Sequence, residues 1–288
     1  MNNKVIAVVG ATATGKTEYA INLAKKLDGE IVSADSRLVY KDLNIATAKP
    51  TEDEMCGIPH YMIDIVSPEI DYSAGLYVKD AYNCIMKILN KGKLPIIVGG
   101  TGLYIKILLE NYSLPDFEPD YKLREKLSQM TYNQLSDILY ELDSDALSTL
   151  ENNDKKKIIR YIEIVKHTGL PLKQSRGKSN SEFDVEWIGL NFPRDILYDR
   201  INKRVDLMVE KGMVEETEYL IKKYGRIPNI IDTIGYKEII SYFDNQCTLN
   251  EAVEKLKQNT RNYAKRQLTW FRKNEYIKWN FYPDKKKK

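Results

Sequence analysis

Cysteine and histidine are scarce in this sequence. It contains three cysteines and two histidines among 288 residues. Cys56, Cys84 and Cys247 lie far apart and form no CxxC pair, which argues against both a zinc site and a disulfide framework. His60 and His167 are equally dispersed, and we expect His60 to be structural rather than catalytic. This usage fits a reducing compartment, the cytoplasm.

Long apolar runs are also missing. No stretch approaches the roughly 18–20 apolar residues that a membrane span requires. The N-terminal sequence MNNKVIAVVG leads into a strand pattern and has no signal-peptide features. We therefore expect no membrane partner. The net charge is only +3, so the charge of the whole chain indicates no particular partner.

One glycine-rich motif stands out near the N-terminus. Residues 10–17, GATATGKT, match G-x-x-x-x-G-K-[ST] between a strand pattern and a helix pattern. Small residues allow the backbone to wrap a phosphate, and the helix N-terminus directs unpaired amides at it. Lys16 adds a point charge and the Thr17 hydroxyl is suited to hold Mg²⁺. The alternative is a glycine-rich turn without a ligand.

Other parts of a nucleotide-hydrolysing site are absent from the sequence. There is no NKxD motif for reading guanine, and Asp64 in YMIDIV is a poor candidate for a Walker B acid. Since the loop would hold any pyrophosphate equally well, the motif alone does not indicate NTP hydrolysis.

The first part of the chain alternates strand and helix patterns, which predicts βαβ units and a parallel sheet. Strands are predicted at residues 4–9, 30–36 and 94–99. The helix after the glycine loop is expected to end at Gly29, and the next to begin at the N-cap Ser73 and end at Gly92. The inner face of that second helix is predicted to contain Val78, Ala81, Tyr82, Ile85 and Leu89.

From about residue 112 the pattern becomes helical, with Asp154 as an N-cap and Gly169 as a helix end. A strand is predicted at 183–192, followed by helices at 194–211, 213–224, 236–244 and 250–273. We predict an α/β fold with a P-loop NTPase-like parallel sheet flanked by helices. Residues 1–112 and 184–288 form this core with its basic C-terminal helix, and residues 113–183 form an inserted all-helical domain.

Two polar residues follow predicted strands on the same side of the sheet as the glycine loop. In an open α/β sheet, ligands bind beyond the carboxyl ends of the strands. Asp35 is placed there to accept a proton or help hold a metal, and Thr101 to orient a substrate. The alternatives are an N-cap for Asp35 and a turn or cap residue for Thr101.

Basic residues form three further candidate sites. Arg200 and Arg204 lie four apart on one helical face, which suits a diphosphate; the alternative is salt bridging to Asp199 or Glu210. Residues 255–273 contain seven basic and no acidic residues, interleaved with aromatic residues as RNA binding requires. The alternative is a helix that buries its aromatic side chains. A smaller basic cluster is DKKKIIR at 154–160.

Several long strings, taken in order, resemble the bacterial tRNA dimethylallyltransferases, the tRNA isopentenyltransferase or IPP transferase family. They are GATATGKT, SADSRLVYKDLNIATAKP, PHYMIDIVSPEIDYSAGLYVKDA, PIIVGGTGLY, LYDRINKRVDLMVEKGMVEE, IGYKE and YAKRQLTWFRK. The resemblance covers nearly the whole chain. It implies transfer of a dimethylallyl group from dimethylallyl diphosphate to N6 of the adenosine 3′ of the anticodon, tRNA position 37, with release of diphosphate.

The resemblance also implies roles for individual residues. The catalytic residues are Asp35 as base, Thr101 and Lys16, with Mg²⁺ on Thr17. The diphosphate would contact Gly10, Ala11, Thr12, Ala13, Thr14, Gly15, Lys16, Thr17, Arg200 and Arg204. The anticodon stem-loop would contact Asp35, Ser36, Arg37, Leu38, Thr101, Arg124, Lys157, Arg160, Lys265, Arg266, Gln267, Trp270 and Arg272. A monomer is expected.

One position departs from the family pattern. The family commonly reads N-D-x-x-R-x-x-R, whereas this chain has NDKKKIIR, with Lys157 at the first arginine position. Lysine keeps the charge but lacks the planar fork of arginine, which weakens the prediction of a specific contact there. Arg160 matches the pattern.

Two other functions remain open on the sequence. A P-loop phosphotransferase would act on a small molecule, turn over ATP and ignore RNA. An RNA-binding protein with a regulatory nucleotide site would bind RNA without forming a product. The related adenylate isopentenyltransferases share the loop and the prenyl donor but have no evident need for the inserted domain.

Overall fold

The computed structural model describes residues 3–110, 117, 119–150, 154–175 and 182–281. The chain divides into two compact units. The larger unit comprises Met1–Leu108 and Glu182–Lys288, and the smaller one comprises Leu109–Ser181. No described helix is long and apolar enough to cross a membrane.

The larger unit is built on a parallel sheet of six strands in the order β3-β2-β4-β1-β5-β6. Its strands are β1 (Lys4–Gly10), β2 (Gly29–Ala34), β3 (His60–Tyr61), β4 (Leu94–Gly99), β5 (Asp184–Asn191) and β6 (Lys278–Phe281). Ile6 pairs with Ile96 in β4, and Val8 pairs with Ile188 in β5. The central strands are almost entirely buried, as expected for a parallel sheet covered on both faces.

The described residues of the larger unit also form nine helices. They are α1 (Lys16–Leu27), α2 (Glu52–Met55), α3 (Ala74–Asn90), α4 (Gly102–Leu109), α10 (Arg194–Glu210), α11 (Met213–Tyr224), α12 (Pro228–Ile231), α13 (Tyr236–Phe243) and α14 (Leu249–Phe271). The apolar face of α1 packs on the sheet through Ala20, Ile21 and Ala24. This confirms the prediction of an α/β fold with a parallel sheet.

Two details of the sequence prediction are wrong. Helix α1 ends at Leu27 and is capped by Asp28, which takes the left-handed conformation with φ 49°, while Gly29 is the first residue of β2. The buried face of α3 consists of Tyr77, Ala81, Ile85 and Ile88, so the predicted face was rotated: Val78, Tyr82 and Leu89 are only partly buried. The predicted N-cap of α3 is confirmed, since the Ser73 hydroxyl accepts a hydrogen bond from the Leu76 amide at 3.2 Å.

The described residues of the smaller unit form five helices. They are α5 (Tyr121–Ser128), α6 (Tyr132–Leu142), α7 (Ser144–Ser148), α8 (Lys155–Thr168) and α9 (Leu172–Ser175). Leu135, Leu139, Ile158 and Ile162 are fully buried in their shared core. The predicted caps of α8 are confirmed, because Asp154 accepts from the Lys157 amide and Gly169 is left-handed.

Candidate active site

The glycine loop lies between β1 and α1. Gly10 has φ +152°, and a Cβ there would lie 2.4 Å from the Leu190 carbonyl oxygen in β5. Gly15 has φ +80° and Ala13 has φ 63°, a region that costs a residue with a side chain more than it costs glycine. Gly10 and Gly15, the two glycines of the motif, are therefore required by the path of the backbone.

Side chains fix the carbonyl groups of this loop. The Ala11 carbonyl accepts hydrogen bonds from Thr14 Oγ1 at 2.8 Å and from Lys16 Nζ at 2.6 Å. The Ala13 carbonyl accepts one from Arg200 Nε at 2.8 Å. The loop is thus held from within and from α10.

The Lys16 ammonium lies in an electropositive environment. Burial and the nearby charge of Arg204 lower the pKa of Lys16 to about 7, and the negative charge of Asp35 opposes this shift. Burial also lowers the pKa of Arg204, against the attraction of Asp35. Lys16, Arg204 and Asp35 therefore lie close enough to interact, with Glu54 as a second carboxylate near Arg204. An anion beside the loop would gain from both cations.

Arg200 is oriented as well as charged. Its guanidinium lies 4.6 Å from the centre of the Phe192 ring, in addition to its bond to Ala13. Of the two alternative partners, Asp199 and Glu210, Asp199 pairs with Lys203 at 2.8 Å. Arg200 and Arg204 therefore face the loop from one helix.

Asp35 and Thr101 meet at the carboxyl ends of β2 and β4. Asp35 Oδ1 accepts from the Arg37 amide at 2.8 Å, which makes it the cap of a turn and not of a helix. Thr101 Oγ1 accepts from the Ser36 amide at 3.0 Å. A carboxylate accepts several hydrogen bonds, so this turn bond leaves Asp35 able to receive a proton.

The rest of the 35–38 segment is anchored by nearby loops. Arg37 Nη1 donates to Asn229 Oδ1 at 3.4 Å, and the Leu38 carbonyl accepts from the Asp64 amide at 3.0 Å. The carboxylate of Asp64, which the sequence makes a poor candidate for a Walker B acid, pairs with Lys49. The backbone of the segment is thus fixed on both sides.

Helix α14 contributes a contact that the sequence did not reveal. The Gln267 side chain is only 6% exposed. Its Oε1 accepts from the Thr12 amide at 2.8 Å, and its Nε2 donates to the Gly100 carbonyl at 2.9 Å. Gln267, a predicted RNA contact, and Thr12, a predicted diphosphate contact, are therefore hydrogen-bonded to each other.

The glycines of the GGTG motif are explained by the same helix and by β2. A Cβ at Gly99 would lie 2.1 Å from the Ala34 carbonyl oxygen, one at Gly100 2.1 Å from Gln267 Nε2, and one at Gly102 2.1 Å from Trp270 Cδ1. Each glycine thus permits a close approach of a neighbouring element.

The other face of α14 is open and basic. Lys265, Arg266 and Arg272 are exposed, and 41% of Trp270 is exposed. Arg266 lies 5.7 Å from the centre of the Tyr263 ring. This combination of cations and aromatic rings has the composition that single-stranded RNA requires.

The three predicted RNA contacts of the smaller unit lie on α5 and α8. Arg124 donates from Nε and Nη2 to Glu163, both at 2.9 Å, and Arg160 also pairs with Glu163. Glu163 is fully buried. Lys157 Nζ lies 5.6 Å from the centre of the Tyr161 ring. One buried carboxylate thus orients two arginines that remain about one-third exposed at 32% each.

The donor groups suit a magnesium ion held chiefly by substrate phosphates. In the described part of the chain, no cluster of three or more histidine, cysteine or acidic residues is suited to a metal. Thr17 lies exposed in the first turn of α1. Mg²⁺ commonly takes one or two protein ligands and completes its shell with phosphate oxygens and water.

Comparisons with known proteins agree on one family. The profile of the family described as IPP transferase matches residues 38–274. A tRNA dimethylallyltransferase from Thermoanaerobacter sp. (strain X514) is 45% identical over 98% of this chain and 93% of its own length. One from Bacillus mycoides (strain KBAB4) is 45% identical over 96% of this chain and 89% of its own length.

Two solved structures are also similar. The tRNA isopentenylpyrophosphate transferase from Bacillus halodurans has a TM-score of 0.74 and 40% identity, covering 97% of this chain and 90% of that one. A eukaryotic dimethylallyltransferase, described as acting on tRNA, has a TM-score of 0.86 and 29% identity, covering 97% of this chain and 74% of that one.

Proposed function

This chain belongs to the IPP transferase family, and on that premise we propose that it prenylates N6 of the adenosine 3′ of the tRNA anticodon. It is an enzyme that transfers a dimethylallyl group to tRNA, as its curated relatives are named for doing. The position of the acceptor, the roles of the residues and the metal are the proposed parts.

The observation that carries the proposal is the grouping of Lys16, Arg200 and Arg204 around the glycine loop, with the Asp35 carboxylate close enough to interact with Lys16 and Arg204. The pKa values of Lys16 and Arg204 both respond to Asp35. The cations suit the diphosphate end of dimethylallyl diphosphate. The carboxylate suits the adenosine amine, which attacks the dimethylallyl end of the same molecule.

In the proposed step, N6 of the adenosine attacks C1 of the dimethylallyl group and forms the new N–C bond. The C1–O bond breaks, and its electron pair leaves with the diphosphate. Asp35 accepts the proton that N6 loses, because an exocyclic adenine amine is a weak nucleophile until a base takes its proton. The target base must leave its stack to reach Asp35, which costs a few kcal/mol.

Negative charge that develops on the diphosphate is stabilised by Lys16, Arg200 and Arg204. Lys16 and Arg200 are already oriented by the Ala11 and Ala13 carbonyls and by Phe192, so these two side chains need little rearrangement as the charge develops. Thr101 would orient the acceptor from the end of β4. Thr17 would hold Mg²⁺, which supplies further positive charge to the phosphate oxygens when bound.

We propose an anticodon stem-loop as the part of tRNA that is bound. It would lie on the exposed face of α14 and on the 35–38 segment, with Arg124, Lys157 and Arg160 as contacts of the smaller unit. We also propose that the enzyme is a cytoplasmic monomer. The alternative of an ATP-dependent kinase is not favoured, because the relatives are tRNA dimethylallyltransferases.

The experiment uses labelled dimethylallyl diphosphate, Mg²⁺ and two unmodified stem-loop RNAs, one with adenosine at position 37 and one with guanosine. Wild type is compared with Asp35→Asn, which keeps an acceptor oxygen for the Arg37 amide but no longer takes a proton. ATP turnover is followed in parallel.

We expect label only on the adenosine RNA, no ATP turnover, and a kcat of Asp35→Asn lower by about 10²–10⁴-fold. Equal labelling of the guanosine RNA would refute N6 of this adenosine as the acceptor. A wild-type rate for Asp35→Asn would leave the proposed reaction in place but would mean that Asp35 stabilises the turn and is not the base.

A further inference from the structure

Gln267 joins two loops that lie far apart in sequence. Its amide bonds to the Thr12 N–H of the glycine loop and to the carbonyl of Gly100, the residue before Thr101. The side chain belongs to α14, 255 residues from Thr12 and 167 from Gly100. One buried side chain therefore sets the distance between the diphosphate loop and the loop that carries Thr101.

The chemistry of this bridge requires a glutamine. The Thr12 amide needs an acceptor and the Gly100 carbonyl needs a donor, and a side-chain amide offers one of each. Glutamate would face the Gly100 carbonyl without a proton to donate at neutral pH, and lysine would have no acceptor for Thr12. Close packing adds to this constraint, since Gly100 has no room for a Cβ beside Gln267 Nε2.

The bridge continues to the proposed base. Thr101 directly follows Gly100, and its hydroxyl accepts from the amide of Ser36, the residue after Asp35. The Thr101 amide donates to the Ala34 carbonyl at 3.1 Å. A displacement of Gln267 would therefore alter the position of Gly100 and, through Thr101, that of the Asp35 turn.

The same helix carries the exposed basic face. Lys265 and Arg266 directly precede Gln267, and Trp270 follows it by about one turn. RNA that holds this face would restrain α14, and a restrained α14 holds Gln267 against both loops. Such a chain of direct contacts is a physical route for coupling between two ligands.

We propose that Gln267 is a positioning residue that couples RNA binding on α14 to diphosphate binding at the glycine loop. This rests on the proposed function, because it takes the two ligands to be RNA and a diphosphate. Coupling of this kind is reciprocal, so each ligand tightens the binding of the other by the same factor. In this proposal Gln267, which is almost fully buried, acts through the two loops that it joins.

The test measures binding without turnover. The probes are inorganic diphosphate with Mg²⁺ and an unmodified anticodon stem-loop RNA. The Kd of diphosphate is measured with and without saturating RNA for wild type, Gln267→Met and Gln267→Glu. Gln258→Met is the matched control, because Gln258 is an exposed glutamine on the same helix.

In wild type and Gln258→Met we expect RNA to tighten diphosphate binding by about tenfold. In Gln267→Met this factor should fall close to one, while the Kd of RNA alone stays within about threefold of wild type. Gln267→Glu keeps the acceptor for Thr12 but turns a carboxylate oxygen toward the Gly100 carbonyl, so its factor should also fall toward one. The Gln267→Glu variant also tests the coupling if the Gln267→Met variant does not fold.

Three results would overturn the inference: no coupling in wild type, unchanged coupling in the Gln267 variants, or an equal loss of affinity for both ligands with the coupling factor retained. The last would make Gln267 a structural support only. A failure of the prenyl-transfer assay would instead refute the proposed function, since the binding experiment involves no chemistry.

Discussion

Arg200 donates from Nε to the Ala13 carbonyl at 2.8 Å while its guanidinium lies 4.6 Å from the centre of the Phe192 ring. The hydrogen bond and the ring contact fix the plane of the guanidinium. A Cβ at Gly15 would lie 3.8 Å from Arg200 Nη2, an ordinary van der Waals contact, so the glycine is needed there for its φ of +80° and not for space. The charge at this end of the glycine loop is therefore presented in a defined orientation.

We predict that Arg200→Lys is not conservative. Lysine keeps the charge but lacks the planar fork that bonds Ala13 and stacks on Phe192. A lysine at this position would bind a diphosphate as an unoriented point charge and without paired N–H groups, so kcat/KM for dimethylallyl diphosphate should fall about ten- to hundredfold. Steady-state kinetics at saturating RNA measures this.

Arg194→Lys is the matched control for this experiment. Like Arg200, Arg194 is exposed and lies near an aromatic ring, 5.1 Å from the centre of Tyr198, but it is the first residue of the same helix, six positions before Arg200. We expect its kinetics to match wild type. Equal effects of the two substitutions would mean that the loop contact of Arg200 contributes nothing specific.

The local elements of the fold could be predicted because their signals are local. The caps at Ser73 and Asp154 and the strand at 183–192 are encoded within a few residues each. The prediction of the buried face of α3 is wrong because this helix has apolar residues on more than one side. Which side is buried then depends on how the helix packs in the fold. Tyr77 is on the buried face since its hydroxyl donates to the Ser33 carbonyl at 3.0 Å.

The contacts of the site were harder to predict because they join distant parts of the chain. The glycine loop, Asp35 and Arg200 follow from motif spacing, but the bridge by Gln267 depends on how α14 packs. The same holds for Glu216, which accepts from the Ile45 amide at 2.9 Å across 171 residues. Neither pairing leaves a short-range signal in the sequence.

Substitution by alanine should have different effects at two glycines near helix starts, Gly75 in α3 and Gly102 in α4. Gly75→Ala meets nothing closer than Ser73 Oγ at 3.7 Å, and alanine favours a helix over glycine by up to about 1 kcal/mol. In Gly102→Ala the new Cβ would lie 2.1 Å from Trp270 Cδ1, so the exposed ring must move. If Trp270 stacks on a base, RNA affinity should fall about five- to hundredfold.

Binding of the unmodified stem-loop RNA to both variants measures the effect on affinity, and thermal unfolding checks that each is folded. Gly75→Ala serves as the control, with wild-type affinity. Wild-type affinity in a folded Gly102→Ala variant would contradict a stacking role for Trp270.

Glu163 should be important to the stability of the smaller unit near neutral pH. It is fully buried and pairs with Arg124 and Arg160. Glu163→Gln removes the charge and leaves two arginines beside a neutral amide. Breaking a buried pair costs about 3 kcal/mol or more, so the free energy of unfolding should fall by this amount, whereas Glu125→Gln on the exposed side of α5 should have little effect.

The cost of Glu163→Gln should depend on pH. Burial alone would raise the pKa of Glu163, but hydrogen bonds from Arg124 and Arg160 lower it below its usual value of 4.5. The stabilisation is therefore fully present above that value and is lost as the pH falls through the lowered pKa. Urea unfolding from pH 7 to pH 3 should show the difference between wild type and Glu163→Gln narrowing; a constant difference would contradict an ionised Glu163.

Arg266 on the exposed face of α14 should determine part of the salt dependence of RNA binding. It is exposed and lies over Tyr263, where it is free to neutralise a phosphate. Arg266→Gln should weaken binding to stem-loop RNAs of different sequence alike and lower the slope of log K against log salt by about 0.7–1. The control is Lys203→Gln, since Lys203 is exposed on α10 and pairs with Asp199. A slope unchanged in Arg266→Gln, or lowered equally in Lys203→Gln, would mean that the RNA does not lie along this face.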